Sequence, residues 1–408
     1  MKVIIQKFGG TSVSSRSVRQ LAMEHVEQAL ADGYAVVVVV SAMGRSGEPY
    51  ATDTLLSLIN GEDAVEARDR DLLLSCGETI SAVVFAGMLR ARGRQVSVLT
   101  GAQAGIRTTA NFGNARIEEI SPERIFTELH AGRVVVVTGF QGVTATGETT
   151  TLGRGGSDTS ATALGIALDA ELIDIFTDVD GIMTADPRII DDAARLRRVT
   201  YAEMSNFASS GAKVIHPRAV ELAMQKNIPI RVRSTHSKDT GTLVTNGAHS
   251  LETRPANDRI LTGVTHSSQL TQIRVRPSGE QRGFQTLVFQ TMARIGISVD
   301  FFNVTLEEVV YTVPTAEAKR AVSTLENLDL TVSTVPDVAK IAAVGAGIHG
   351  VPGVMARIVE ALSDAGVEIL QSADSNTTIW CLVHERDMVR AMRAIHNKFD
   401  LHSMGGAD

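Results

Sequence analysis

Two short stretches combine glycine, a cation and hydroxyl side chains in a pattern that could hold a highly charged anion. The first is Lys7-Phe8-Gly9-Gly10-Thr11-Ser12-Val13, and the second is Gly153-Arg154-Gly155-Gly156-Ser157-Asp158-Thr159. Glycines let the backbone approach phosphate oxygens, while the amides of a helix first turn and the helix dipole favour negative charge. One such turn is only a turn. Two of them, each opening a helical pattern and each carrying a fixed cation, point to a polyanion site. Neither fits the GxxxxGK[ST] spacing, so this is not a P-loop. A third run, Gly345-x-Gly347-x-x-Gly350, has the outline of a dinucleotide-binding turn. Too little chain follows it for the parallel strands such a domain needs, and it lies inside an internal repeat whose other copy lacks it.

The elements that must position the first two turns are legible as runs of β-branched residues. Residues 3–8, 34–42, 134–140, 173–181 and 228–234 read as strands buried on both faces, with helical patterns such as 17–33 between them. That is an α/β domain with a largely parallel sheet, whose chemistry belongs at the carboxyl ends of the strands. Beyond a polar, turn-rich run at 234–259, residues 271–327 laid over 341–397 without a gap align Gly283 with Gly353 and Gly296 with Gly366. Each copy reads strand, helix, strand, strand, helix, with a short final strand expected at Asp400–Met404 in the second. The expected boundaries are a catalytic domain at 1–240, a linker at 241–262, and repeat copies at 263–335 and 336–408.

Composition narrows the setting. The 408 residues are 44% hydrophobic with a formal net charge of −7, so no basic surplus invites nucleic acid or an acidic membrane. The N-terminal apolar run is too short for a signal peptide, and no charge-free apolar stretch of ~18 residues offers a membrane span. Two isolated cysteines and no closely spaced histidine pair give neither a disulfide framework nor a metal site, so no resident metal is expected. A reducing cytoplasm fits this usage.

The βαββα repeat resembles the ACT domain, a ferredoxin-like βαββαβ unit that pairs with a second copy and binds small amino acids at the junction. Lys7–Val13, Val39–Gly44, Leu73–Glu78, Thr138–Gly142, Thr149–Asp158, Phe176–Arg188 and Ser209–Arg218 match, in order, the motifs of aspartate kinases. These are amino-acid kinases with C-terminal tandem ACT domains. The resemblance covers essentially the whole chain. Arg45–Leu55 and Gln371–Trp380 look closest to the Bacillus-type, diaminopimelate-sensitive form, with no fused homoserine dehydrogenase expected. It implies transfer of the γ-phosphoryl group of ATP, with Mg²⁺, to the side-chain carboxylate of L-aspartate. Neighbouring kinases (glutamate 5-kinase, acetylglutamate kinase, carbamate kinase) share the front domain but would not be expected to carry tandem ACT units. A non-catalytic amino-acid sensor is the alternative from another class.

A carboxylate nucleophile is ionised at neutral pH, so the implied reaction needs no general base. It needs positive charge and positioning to overcome repulsion between two anions. The resemblance assigns Lys7 and Lys213 to the transferring phosphoryl group and Asp158 to holding them. It places Phe8, Gly9, Gly10, Ser41, Gly156, Thr177, Asp178, Met183 and Arg188 on the nucleotide; Met183 stands where an aromatic is common. Arg154 suits the α-carboxylate of the acceptor and Glu78 its ammonium, with Thr52, Phe140, Gly155 and Ser157 completing that pocket. His216 and Cys76 are read as packed residues near the site and not as catalysts. An amino-acid effector (diaminopimelate, lysine or threonine) is expected against Gly283, Phe284, Asp300, Val351, Gly353, Gln371 and Asp374, and the ACT units are expected to join copies into a homo-oligomer.

Overall fold

The five β-branched runs form strands because their side chains can be buried on both faces of a sheet. In the computed structural model they are Val3–Phe8, Ala35–Val40, Val134–Thr138, Leu172–Thr177 and Ile230–Ser234. The structure describes residues 1–61, 64–212, 214–246, 260–279, 283–346, 348 and 350–405. The chain divides into two compact units. The first comprises Met1–Ile182, Arg195–Ser209 and Lys213–Thr253, and the second Met183–Ala194, Ser210–Ala212 and Arg254–Asp408.

In the first unit the five strands are joined by Val96–Leu99, Arg198–Thr200 and Thr242–Thr245. The order is 198–200, 242–245, 230–234, 172–177, 3–8, 35–40, 134–138, 96–99. Every pairing is parallel except that between 230–234 and 242–245. The expected linker therefore begins inside this sheet. Thr242–Thr245 is a short edge-side strand masked in the sequence by turn residues on both sides. The alternation of the central strand decides what faces the site. Ile4 and Phe8 join Met23, Val26, Phe85 and Leu89 in the core under helices Arg16–Ala31 and Ala67–Ala91. Ile5 points the other way, toward Gly165 of helix Gly156–Ala167. Lys7, two residues on, shares that second face. A small sheet, ordered 117–120, 106–108, 141–143, 149–151, completes the unit; its short strands gave no periodic signal.

Helix Ala67–Ala91 is long and apolar enough to cross a membrane by length and composition, with mean hydropathy 1.8 over its best window. Half of that window is buried in the fold, and it carries the buried carboxylates Asp71 and Glu78. It is a core helix.

The second unit is built on a six-stranded antiparallel sheet ordered 300–304, 309–314, 263–277, 330–344, 378–384, 371–374. Helices Phe284–Arg294, Thr315–Glu326, Val354–Asp364 and Met388–Lys398 complete the two copies. The two central strands are 15 residues each and serve both copies. Leu270–Pro277 pairs with Leu330–Val338, and Gly263–Ser267 pairs with Lys340–Val344. Gln269 (φ 58°) and Asp337 (φ 50°) adopt left-handed conformations where the register shifts.

Two expectations change here. Residues 401–405 form a 3₁₀ turn and no strand, since Leu401 and Met404, three apart, both pack onto the second copy's core. The edge expected for that strand is occupied by Gly263–Ser267. The segment Met183–Ala194, expected within the catalytic domain, belongs to this unit, where Ala185 and Ile190 are buried among Val264, Ile341 and Ile358.

Candidate active site

The carboxyl ends of the parallel strands open onto a cavity of about 570 Å³, wholly within the first unit. Lys7 reaches it from strand Val3–Phe8, and its Nζ lies 2.6 Å from Asp158 Oδ1 in the first turn of helix Gly156–Ala167. Both side chains are about nine-tenths buried, at 12% and 11% exposure. The other Asp158 oxygen accepts from the backbone N–H of His216 at 3.1 Å. A buried carboxylate held on both oxygens fixes the ammonium in one place, although the pair gains little net stability because desolvation offsets the attraction.

The two glycine turns meet their neighbours so closely that side chains are excluded. A Cβ on Gly10 would lie 2.6 Å from the Gly44 carbonyl oxygen and 2.9 Å from that of Ala42. The contact is real in both directions, since Gly44 N–H donates to the Gly10 carbonyl at 3.0 Å. Gly155 caps its helix with φ 67°, and a Cβ there would sit 2.2 Å from the His216 ring. Phe140 also has positive φ, at 69°. Its N–H donates to Ser160 Oγ at 3.0 Å and its carbonyl accepts from Leu152 N–H at 2.9 Å, which holds this strained residue at the cavity wall.

Helix Ala67–Ala91 supplies the acidic side of the cavity. Glu78 is 2% exposed, and its Oε1 accepts from the Ala42 N–H at 3.0 Å. Its Oε2 is buried with no hydrogen-bond partner among the described residues. Burial pushes this carboxyl up to about 8, against the smaller opposing effect of the backbone N–H groups of Ala42 and Glu78. Asp71, two turns earlier, is fully buried and fully used. It accepts from Gly113 N–H at 2.9 Å, Thr151 N–H at 2.7 Å and Thr151 Oγ1 at 2.8 Å. Asp71, Leu74 and Glu78 line the cavity together. Sequence reading named only Glu78, yet the i, i+3, i+7 spacing was the signal that could have found the other two.

The cavity gathers Lys7, Gly10, Ser41, Thr52, Glu78, Phe140, Arg154, Gly155, Gly156, Ser157 and Asp158. Gly9 sits beside the Lys7 ammonium, where a Cβ would come 3.4 Å from Nζ. Phe8 contributes backbone only, because its ring is buried in the opposite core, stacked on Phe176 at 4.6 Å. Thr177 ends the neighbouring strand and Asp178 follows it, ion-paired with Arg45. Met183 and Arg188 belong to the second unit, with Arg188 clasping Asp186 at 2.7 Å. Lys213 lies outside the described residues. His216 caps helix Pro217–Lys226 through its ring nitrogen, a structural post. Cys76 is exposed and not packed, because the helix turns it away from the face that carries Asp71 and Glu78.

In the second unit Gly283 (φ 82°) and Gly353 (φ 88°) cap corresponding helices. Phe284 is 2% exposed in the first copy's core, so its ring is committed to packing. Asp300 pairs with the buried Lys340. Gln371 bridges Gln272 and the Phe301 carbonyl, at 2.8 Å each. Val351 and Asp374 are exposed.

Residues 2–234 match the amino acid kinase family, and residues 333–397 match the ACT domain. The chain is 56% identical to aspartokinase 1 of Bacillus subtilis over 98% of its length and all of that protein. It is 38% identical to the aspartokinase of Corynebacterium glutamicum, covering 100% of this chain and 98% of that protein. Among solved structures it matches E. coli aspartokinase III in complex with aspartate and ADP at TM-score 0.80 and 26% identity, covering 97% of this chain and 99% of that one.

Proposed function

Since the chain belongs to the aspartokinases of the amino acid kinase family and carries an ACT domain, we propose that Lys7, Asp158 and Glu78 are the working centre of its phosphoryl transfer from ATP to aspartate. The observation that carries this reading is the ammonium of Lys7, fixed 2.6 Å from Asp158 between the two glycine turns of one cavity. The acceptor carboxylate is already an anion, so the centre has no proton to remove and must shield two like charges from one another. Lys7, joined by Lys213 in this reading, places positive charge where the transferring phosphoryl group spreads its own. Asp158 keeps Lys7 from following either anion out of position.

The nucleotide lies over Gly9, Gly10 and Gly156, flanked by Ser41, Thr177 and Asp178. It enters as its magnesium complex. Of the carboxylates that line the cavity, Asp158 is taken by Lys7 and Asp71 by three hydrogen bonds, which leaves Asp53 and Glu78. The ion would be held chiefly by the nucleotide's own phosphate oxygens and water, and would supply further positive charge to the transferring phosphoryl group. Arg154 presents a planar fork to the α-carboxylate of aspartate. Glu78, with one oxygen unpartnered among the described residues, takes its ammonium, and Thr52, Phe140, Gly155 and Ser157 set the length of the pocket.

E. coli aspartokinase III has also been solved with lysine and aspartate in a T-state. An amino-acid effector at the ACT pair follows for this chain, with diaminopimelate first on the motif likeness and lysine and threonine as alternatives. Assembly into a homo-oligomer is supported by exposed Phe302, Val304 and Leu306 on and beyond the edge strand Asp300–Val304. The free thiols Cys76 and Cys381 fit a cytoplasmic setting.

Hydroxylamine trapping of the acyl phosphate tests the assignment. Hydroxamate should form from aspartate and ATP, not from glutamate or acetylglutamate, and should fall by ~10²–10³ in Lys7→Met. A Lys7→Met enzyme with unchanged turnover removes Lys7 from the centre.

A further inference from the structure

We propose that Asp192, His396 and His402 form a binding site for a borderline divalent cation such as Zn²⁺, within the second unit and separate from the kinase cavity. The ligand atoms of these three residues all lie within 4.8 Å of one another. His396 is the anchor. It stands on helix Met388–Lys398, fully buried, and its Nε2 lies 3.0 Å from Thr184 Oγ1. That hydroxyl oxygen also accepts from the Ala194 N–H at 2.9 Å, so it is itself held in place. The other ring nitrogen, Nδ1, is buried and has no hydrogen-bond partner among the described residues.

A buried polar nitrogen without a partner is uncommon in folded proteins and calls for an explanation. The nearest carboxylate oxygen, Asp192 Oδ1, is 3.9 Å away. That is too long for a hydrogen bond, and it is close to the spacing of two ligands on one ion. Ligands about 2.0–2.1 Å from a tetrahedral Zn²⁺ stand roughly 3.3 Å apart. Asp192 and His402 are exposed, so small rotations of their side chains can close the remaining distance onto a fixed His396. The contact between Thr184 and Nε2 orients the ring so that Nδ1 faces the cluster, as the outer partner of a metal-bound imidazole does.

Two imidazoles and one carboxylate suit Zn²⁺, Co²⁺ or Ni²⁺ and leave a position for water, whereas Mg²⁺ prefers oxygen ligands. Occupancy ties Asp192, and with it the segment Met183–Ala194, to the C-terminal helix and the 3₁₀ turn Leu401–Gly405. Arg393 makes a second tie to the same segment through the Ile189 carbonyl. The sequence concealed this site because its aspartate is remote from both histidines in the chain, and local spacing argued against any resident metal.

The test uses the full chain, stripped with chelator, titrated with Zn²⁺ in excess Mg²⁺, and followed by calorimetry and thermal melting. One Zn²⁺ per chain and a raised Tm are expected, and Co²⁺ should give the visible absorption of a tetrahedral site. His402→Ala and Asp192→Asn alter exposed side chains and should keep the metal-free Tm while losing at least tenfold in Zn²⁺ affinity and the Tm rise. Thr184→Val should weaken binding about tenfold or more through the anchor ring. Zn²⁺ uptake of unchanged affinity in both His402→Ala and Asp192→Asn, or no uptake of Zn²⁺ or Co²⁺ by the unaltered chain, overturns the assignment.

Discussion

Replacing Glu78 by Gln separates the pH dependence of acceptor binding from everything else in the cavity. With its carboxyl raised to about 8 by burial, Glu78 is mostly protonated in the ligand-free protein at neutral pH. At pH 7 roughly one molecule in eleven carries the anion that an ammonium needs. Aspartate must then displace a proton, which weakens its apparent affinity by up to about 1.4 kcal/mol, or tenfold, for each pH unit below 8. The aspartate KM should therefore fall by roughly two orders of magnitude from pH 6 to pH 8.5 and then level off. Glu78→Gln should abolish that slope and weaken binding by about 2–5 kcal/mol at the upper plateau, the usual cost of removing one partner of a buried charge pair. Stability supplies an independent readout of opposite character. Because the folded carboxyl titrates above its ordinary value of 4.5, its stabilising contribution is complete below that value and is lost as pH rises through about 8. Between those limits the ligand-free protein should lose about 4–5 kcal/mol that Glu78→Gln keeps. The assays are initial rates against aspartate concentration across that pH range, with ATP saturating, and urea melts of the ligand-free protein. An equal KM slope in the variant and the parent would refute both the raised carboxyl and its assigned partner.

Other outcomes follow from the same geometry. Gly10→Ala should cut kcat sharply and lower Tm, since backbone carbonyls at 2.6 and 2.9 Å cannot yield to a methyl group, whereas Gly87→Ala, on helix Ala67–Ala91 with open space around it, should leave kcat unchanged. Asp71→Ala leaves a buried N–H group and a buried hydroxyl of Thr151, and the half-buried N–H of Gly113, without their acceptor, so urea melts should show a loss of about 2–5 kcal/mol. A native thiol titration should count one reactive cysteine, Cys76. Cys381, buried and pushed up to about 12, should react only after unfolding.

What could be read from residues alone depended on how local its cause was. The strand that delivers Lys7 announces itself through Val3, Ile4 and Ile5, and the turn at Gly155-Gly156 through its glycines, because each answers to steric rules acting over a few residues. Asp71 escaped notice since a carboxylate in an apolar helix has no sequence mark of its three partners, which arrive from Gly113 and Thr151. The final strand expected at 400–404 failed for a related reason. Its place was already taken by Gly263–Ser267, a competitor more than a hundred residues away that outbids any local preference. Thr242–Thr245 was lost among turn residues, although its antiparallel pairing with Ile230–Val232 is ordinary. Cys76 was misplaced by one step around a helix, where neighbours in sequence point in different directions.

The two fifteen-residue strands of the regulatory half carry a consequence for protein engineering. A chimera that imports one repeat from a relative, spliced at the obvious midpoint, would cut a continuous backbone that two modules hold in common. The graft would bring half a strand and leave its complement behind. Shuffling between relatives should succeed only when both repeats travel together, from Gly263 onward, as one heritable block.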